Sequence, residues 1–191
     1  MVDQQLILVK HSQPKIVPEV PAMHWRLSEE GRSRCLRLAD EIQPFAPLVV
    51  ACSNEVKAFE TAEILTRTLD LAPPIQSVGL REHQRDNEPF SEKSIFEAKV
   101  KKFFSEPTQL VFGHETADEA YQRFEKATHS LVAQYVHSTI VMVTHGTVIS
   151  LLVSRHNRVE PFRFWQELGL PSLVVLSLTD YKIRSVITKV V

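Results

Sequence analysis

The sequence predicts an α/β fold, a three-layer α/β/α sandwich around a mainly parallel central sheet. Three apolar runs without polar alternation, residues 6–9, 48–52 and 139–144, indicate strands that are buried on both faces, which is typical of parallel sheets. Segments with helical spacing separate these runs, and strand–helix alternation characterises α/β domains. Two further strands, 172–178 and 183–189, are expected to form an antiparallel hairpin at one side.

Helices are predicted where apolar residues recur at helical spacing after a capping residue. Ser28 is the expected N-cap of the first helix, and Ser53 of the second. The predicted helices cover residues 28–43, 53–69, 92–104, 115–136, 148–155 and 162–168. Residues 75–78 are predicted to form one more short strand.

Composition favours a single globular domain over residues 1–191. The 22 Lys and Arg nearly balance the 23 Asp and Glu, so neither a nucleic acid nor a membrane is an expected partner. The apolar run near the start is too short for a signal peptide or a membrane span, and we expect a cytoplasmic location. Cys35 and Cys52 are too few for a disulfide framework, and both are expected to be buried thiols.

Two predicted strands end at a histidine, the first at His11 and the third at His145. Ligands of open parallel sheets bind outside the carboxyl ends of the strands, so the two imidazoles form a candidate site. A structural role for each histidine is the alternative. A metal site would need a third ligand at short spacing, and neither His-x-x-x-His nor Cys-x-x-Cys occurs. The Gly-x-Ser-x-Gly motif of serine hydrolases is also missing from the sequence.

The two histidines belong to a series of segments that resembles the histidine phosphatase superfamily, which has the phosphoglycerate mutase-like fold. The segments occur in the family's order and span nearly the whole chain. Lys10-His11-Ser12 is similar to the family's Arg-His-Gly signature. The other segments are Leu27-Ser28-Glu29-Glu30-Gly31, Ser53 with Lys57-Ala58 and Thr61-Ala62, Leu80-Arg81-Glu82, Gly113-His114-Glu115-Thr116 and Thr144-His145-Gly146.

The resemblance implies a phosphatase that acts on a small phosphorylated substrate, a phosphomonoester, with no metal and no other cofactor. His11 is implied to be the nucleophile that forms a phosphohistidine. Its imidazole must be neutral, with the other ring nitrogen donating to a backbone carbonyl. Glu82 is implied to protonate the leaving oxygen and then to activate water, and Glu88 in the same loop is the alternative.

The implied phosphate site consists of cations and aimed N–H groups, because the transferred phosphoryl group carries negative charge. Lys10, Lys57 and His145 are implied to supply positive charge and donors, and Ser12 and Gly146 to complete the site. The family has arginine in place of both lysines. Lysine is a mobile point charge, whereas arginine grips phosphate with two parallel donors. A catalytically weak or inactive protein that binds phosphorylated ligands is therefore the alternative function.

Substrate specificity is expected to come from two loops, residues 13–26 and 80–93. Gln13, His24 and Trp25 are candidates to line the pocket. A phosphoglycerate mutase-type transfer is less favoured, because family mutases resemble longer chains whose extra segments enclose the substrate. The apolar tail strand at residues 186–191 is a candidate surface for a homodimer.

Overall fold

A computed structural model describes residues 5–136 and 138–191, and over these ranges six strands form one sheet with six α-helices around it. The strands are β1 (Gln5–Lys10), β2 (Val49–Ser53), β3 (Ile75–Ser77), β4 (Ile140–Thr144), β5 (Ser172–Ser177) and β6 (Ile183–Ile187). The helices are α1 (Glu29–Ile42), α2 (Val56–Thr68), α3 (Lys93–Ser105), α4 (Ala117–Gln134), α5 (Gly146–His156) and α6 (Pro161–Glu167).

The strand order across the sheet is β3-β2-β4-β1-β5-β6. Strands β3, β2, β4 and β1 pair in parallel, and β5 pairs antiparallel with both β1 and β6. The predicted mainly parallel sheet with an antiparallel hairpin at one side is confirmed.

Alternate residues of β1 pack on opposite faces of the sheet, as the pleat of a strand requires. Leu6 and Leu8 lie in the core formed with α4 and α5, whereas Ile7 and Val9 lie in the core formed with α1 and α2. All four side chains are fully buried, which explains why this run lacks polar alternation. Helices on both faces make the three predicted layers. Cys35 and Cys52 are buried free thiols, as predicted.

The sheet order determines where the candidate site lies. Neighbouring strands β1 and β4 are in parallel register, with Lys10 opposite Thr144. His11 and His145 therefore follow adjacent strand ends at the carboxyl edge of the sheet. On the other side of β4, strand β2 ends at the same edge with Ser53.

The predicted N-cap role of Ser53 is wrong. Helix α2 begins at Val56 with Glu55 as its N-cap, and Ser53 is the last residue of β2. The hydroxyl of Ser53 accepts a hydrogen bond from the backbone N–H of Glu55 and also contacts His145. Two loop residues, Asn54 and Glu55, therefore separate the strand from the helix. Of these two, Glu55 has its side chain close to His145.

Within the described residues, no helix is both long enough and apolar enough to cross a membrane.

Candidate active site

The two histidines lie side by side at the carboxyl edge of the sheet. Their ring centroids are 5.1 Å apart, and the rings meet edge to face at 64°. His11 Nδ1 lies 2.7 Å from the backbone oxygen of Ser12. A carbonyl can only accept, so Nδ1 carries the proton and Nε2 keeps its lone pair. Burial, together with the charge of Lys57, holds the pKa of His11 well below its usual range, so its imidazole is neutral at neutral pH.

His145 is fully buried and contacts the end of β2. Its Nε2 lies 2.9 Å from the Ser53 hydroxyl and 3.5 Å from Glu55 Oε1. Among the residues that the structure describes, its Nδ1 has no hydrogen-bond partner. Burial is the main cause that lowers the pKa of His145 to about 4. This imidazole is therefore also neutral at neutral pH, and it has a buried ring nitrogen to offer a ligand.

Ser12 holds the turn that carries His11. Its hydroxyl donates to the Gly31 carbonyl at 2.7 Å, and its backbone N–H donates to the Thr61 hydroxyl at 3.0 Å. A Cβ at Gly31 would lie 2.1 Å from the Gln13 carbonyl oxygen, so only glycine allows α1 to approach this turn so closely. The Ser12 hydroxyl hydrogen is thus committed to the protein. Its predicted use as a phosphate donor would require this bond to break.

Lys57 is buried in the first turn of α2, as the second residue of this helix. Its Nζ donates to Glu55 Oε2 at 2.6 Å and to the Ala22 carbonyl at 2.7 Å. Glu55 Oε1 accepts from the backbone N–H of Glu82 at 2.9 Å. Burial opposes ionisation of Glu55, but the charge that His145 carries in acid, the Lys57 charge and these hydrogen bonds hold the pKa of Glu55 far below its usual range. The ammonium group of Lys57 is therefore paired with the carboxylate of Glu55.

Lys10 closes β1 with its ammonium group held by α6. The Nζ donates to the Leu168 carbonyl at 2.6 Å and lies 5.9 Å from the centre of the Trp165 ring. A Cβ at Gly146 would lie only 3.1 Å from Lys10 Cε, so the missing side chain there gives Lys10 its room. Burial lowers the pKa of Lys10 to about 8, although Glu82 opposes this effect.

Glu82 is a buried carboxylate that accepts hydrogen bonds from two backbone N–H groups. Oε1 accepts from His83 N at 2.9 Å, and Oε2 accepts from Thr147 N at 3.2 Å in the first turn of α5. Burial favours the neutral form, but Arg85 and the donor at His83 outweigh it and lower the pKa of Glu82. A carboxylate thus occupies the positive end of α5, a position that also favours a phosphate group because of the helix dipole.

The alternative acid, Glu88, lies in a different setting. Its carboxylate binds Lys99 at 2.5 Å and the backbone N–H of Gly113 at 3.4 Å. Of the two carboxylates, only Glu82 contacts the helix that follows His145. The geometry therefore favours Glu82 as the acid and base.

The predicted substrate residues are spread over the first loop. Trp25 donates from Nε1 to the Val17 and Val20 carbonyls and lines a cavity of about 550 Å³ together with Phe90 and Phe96. His24 is exposed and lines neither this cavity nor a smaller one of about 260 Å³ that reaches Lys57 and Glu82. The backbone carbonyl of Gln13 accepts hydrogen bonds from the backbone N–H and the hydroxyl of Ser28, and so stabilises the turn.

Several residues of the site were missed from the sequence. Glu55 pairs with Lys57, Thr61 supports the turn at Ser12, and Arg85 lines both cavities. Thr61 belongs to the Thr61-Ala62 segment of the family resemblance, but the sequence did not predict a role for it. A carboxylate two residues before an implied phosphate-binding lysine was the signal that could have identified Glu55.

The chain matches the family model of the histidine phosphatase superfamily (branch 1) over residues 6–189. It therefore belongs to this superfamily, and the predicted resemblance is confirmed. Phosphoglycerate mutase-like protein 4 from Arabidopsis thaliana is 29% identical over 136 residues, which cover 68% of this chain and 59% of that protein. The match thus spans less than two thirds of the length of this relative.

Solved structures share the fold over almost the whole chain. A phosphoserine phosphatase variant from Entamoeba histolytica, in complex with phosphoserine, has a TM-score of 0.76 at 16% identity and covers 96% of both chains. YhfR from Bacillus stearothermophilus has a TM-score of 0.76 at 21% identity, covering 95% of this chain and 94% of its own. A mycobacterial glucosyl-3-phosphoglycerate phosphatase has a TM-score of 0.73 at 19% identity, with coverage of 95% and 96%.

Proposed function

We propose that this protein is a phosphatase that hydrolyses a small phosphomonoester through a phosphohistidine on His11. The observation that carries the proposal is the neutral His11 imidazole beside His145, with Nδ1 bound to the Ser12 carbonyl and the Nε2 lone pair available. Membership of the histidine phosphatase superfamily supports it. Structural neighbours named as phosphatases support the same reaction class.

The first step transfers the phosphoryl group to the protein. The Nε2 lone pair of His11 attacks phosphorus, the bond between phosphorus and the ester oxygen breaks, and that oxygen takes a proton from Glu82. Glu82 is a carboxylate in the free protein, so it must first gain this proton. Binding of a dianionic ester beside it raises its pKa, because a second negative charge disfavours ionisation.

The second step returns His11 to its starting state. The Glu82 carboxylate takes a proton from a water molecule, whose oxygen attacks phosphorus as the P–N bond breaks. Inorganic phosphate leaves, and the lone pair returns to His11 Nε2. The buried His145 and the ammonium groups of Lys10 and Lys57 stabilise the charge on the phosphoryl oxygens in both steps. Of the three N–H groups on each ammonium, Lys10 gives one to Leu168 and Lys57 gives two, to Glu55 and Ala22, among the described residues, so each lysine can direct a remaining N–H at a phosphoryl oxygen.

The test is hydrolysis of an aryl phosphate by the wild-type chain and by His11→Ala. We expect turnover by the wild type, no turnover above background by His11→Ala, and unchanged turnover by His129→Ala, an exposed histidine on α4. An aryl phosphodiester should not be cleaved, since it lacks the dianionic group. Wild-type rates in His11→Ala would contradict the assignment of His11 as nucleophile.

A second candidate function is binding of phosphorylated ligands without turnover. The specific observation in its favour is that Leu168 and Glu55 already engage the two ammonium groups of the site. In that case inorganic phosphate would bind to the wild type, while no product would form from the aryl phosphate at any protein concentration.

A further inference from the structure

The carboxylate of Glu55 touches three of the groups that surround the proposed phosphate site. It accepts from Lys57 Nζ at 2.6 Å and from the Glu82 backbone N–H at 2.9 Å, and it lies 3.5 Å from His145 Nε2. Glu55 is itself buried, with 7% of its surface exposed. A side chain with two lone-pair-bearing oxygens thus binds the same ammonium group and approaches the same imidazole that a phosphoryl group would need.

We propose that Glu55 is a resident anion of the phosphate site, which competes with the phosphoryl group and sets the affinity for phosphorylated ligands. The inference rests on the proposed function, since it assumes that a phosphoryl group binds between His11, His145 and Lys57. A phosphoryl group and the Glu55 carboxylate would therefore share the positive charge of Lys57, and the 2.6 Å bond to Glu55 weakens the hold of this cation on the ligand.

The charges of the site lead to the same conclusion. Two ammonium groups, Lys10 and Lys57, are matched by two carboxylates, Glu55 and Glu82, and both imidazoles are neutral at neutral pH. These six groups are therefore formally neutral together, and Arg85, whose charge also acts on Glu82, adds a positive charge beside them. A dianionic phosphomonoester would meet two buried carboxylates, and like charges in a poorly solvated site repel strongly. Removal of the Glu55 charge would make the site more positive by one charge.

The side chain of Glu55 is not needed to begin the helix that follows it. Glu55 is the N-cap residue of α2, but its side chain makes no capping hydrogen bond. Among the described residues, its side chain has one hydrogen bond with the backbone, from Glu82 N–H, which a glutamine oxygen can also accept. Glu55→Gln should therefore keep this loop contact and remove only the charge.

The experiment measures binding of inorganic phosphate by calorimetry, at neutral pH and constant ionic strength. We expect Glu55→Gln to bind phosphate at least about tenfold more tightly than the wild type, because the ion pair no longer competes for Lys57. Glu60→Gln is the matched control, since Glu60 is a carboxylate of equal exposure on the same helix that pairs with Arg26 and Arg32. Its affinity should stay within about twofold of the wild type.

A second variant, Glu55→Ala, tests whether the change in phosphate affinity comes from loss of the carboxylate or from the amide group that glutamine introduces. It leaves Lys57 beside a cavity that already reaches it, where water can solvate the ammonium group. Thermal unfolding with and without phosphate checks that both variants are folded, and phosphate should raise their melting temperatures more than that of the wild type.

Two results would overturn the inference, and they differ in what they imply for the proposed function. In the first, the wild type binds phosphate and both Glu55 variants bind it equally or more weakly. This result would contradict the competing role of Glu55 but would leave the proposed function intact. If the folded wild type and both folded variants all fail to bind phosphate, the phosphate site itself is wrong, and the proposed function fails with it.

Discussion

His11 and His145 form an edge-to-face pair of buried imidazoles with centroids 5.1 Å apart. The pair exists because β1 and β4 are parallel neighbours in register, so that each strand delivers its next residue to the same edge. Burial lowers the pKa of His11, and the positive charge of Lys57 and any positive charge on His145 lower it further. Both rings are therefore neutral at neutral pH, one suited to attack and the other to donate a hydrogen bond.

The first prediction concerns His145. Replacement by Ala removes a preorganised donor beside the phosphoryl group, and we expect kcat for an aryl phosphate to fall by about a hundredfold or more. A phosphohistidine should still form slowly, since His11 is intact. Steady-state kinetics and a quenched single-turnover reaction test this. An unchanged kcat would mean that His145 has only a structural role, where the ends of β2 and β4 meet.

The second prediction is an alkaline limit on activity that Lys10 sets. Its pKa is lowered to about 8 by burial, so the ammonium group is charged below this pH and loses its charge as the pH rises above it. We expect kcat/KM for an aryl phosphate to decline above about pH 8. In Lys10→Arg the decline should move to higher pH, because arginine stays charged throughout this range. The same pH profile in both proteins would contradict a role for the Lys10 charge.

The third prediction tests the close approach of α1 to the turn after His11. Gly31→Ala would bring Cβ within 2.1 Å of the Gln13 carbonyl oxygen, and we expect the free energy of unfolding to fall by about 3 kcal/mol. Ser33→Ala, at an exposed position of the same helix, should change it by less than about 0.5 kcal/mol. Equal stability of the two variants in denaturant unfolding would show that α1 can shift away from the turn.

The fourth prediction is a loss of stability in mild acid caused by His83. This histidine is buried against Phe103 and Phe112, and its Nδ1 has no hydrogen-bond partner among the described residues. Burial lowers its pKa from 6.5 to about 4. As the pH falls through this window, the unfolded chain binds the proton and the folded chain does not. The free energy of unfolding should therefore decrease by up to about 1.4 kcal/mol per pH unit on account of this residue.

His83→Gln removes the titrating group while keeping a donor for the Glu115 carbonyl, which His83 Nε2 contacts at 3.1 Å. Denaturant unfolding at several values between pH 6.5 and 4 should show a shallower dependence in His83→Gln than in the wild type. His24→Gln, at an exposed position, is the control and should retain the wild-type slope. If His83→Gln retains it as well, His83 binds protons equally in the folded and unfolded chains.

The sequence was sufficient to predict the sheet and the two histidines, because both depend on simple patterns. Apolar runs such as residues 6–9 are typical of strands that are buried on both faces of a parallel sheet, and a histidine just after the end of such a strand is expected at the carboxyl edge. The predicted helix ends were less accurate where more than one residue could act as the N-cap. Ser53 looked like an N-cap, but its hydroxyl serves His145, and α2 begins at Val56.

Side-chain partners within the site could not be predicted, because they depend on contacts between residues distant in the sequence. The bond between Lys10 and the Leu168 carbonyl joins residues that are 158 positions apart. Lys57 reaches the Ala22 carbonyl across the first loop. The positions of the two lysines followed from the motifs. That both ammonium groups are engaged by the protein is visible only in three dimensions.

The most direct test of the proposed mechanism is a search for phosphate on His11. The wild-type chain is mixed with an aryl phosphate, quenched during the steady state and digested, and the peptides are analysed by mass spectrometry. We expect one phosphoryl group on the peptide that contains His11, labile to acid and stable to base, and none in His11→Ala. Turnover of the aryl phosphate with no phosphopeptide, or with the phosphoryl group on another residue, would contradict covalent catalysis by His11.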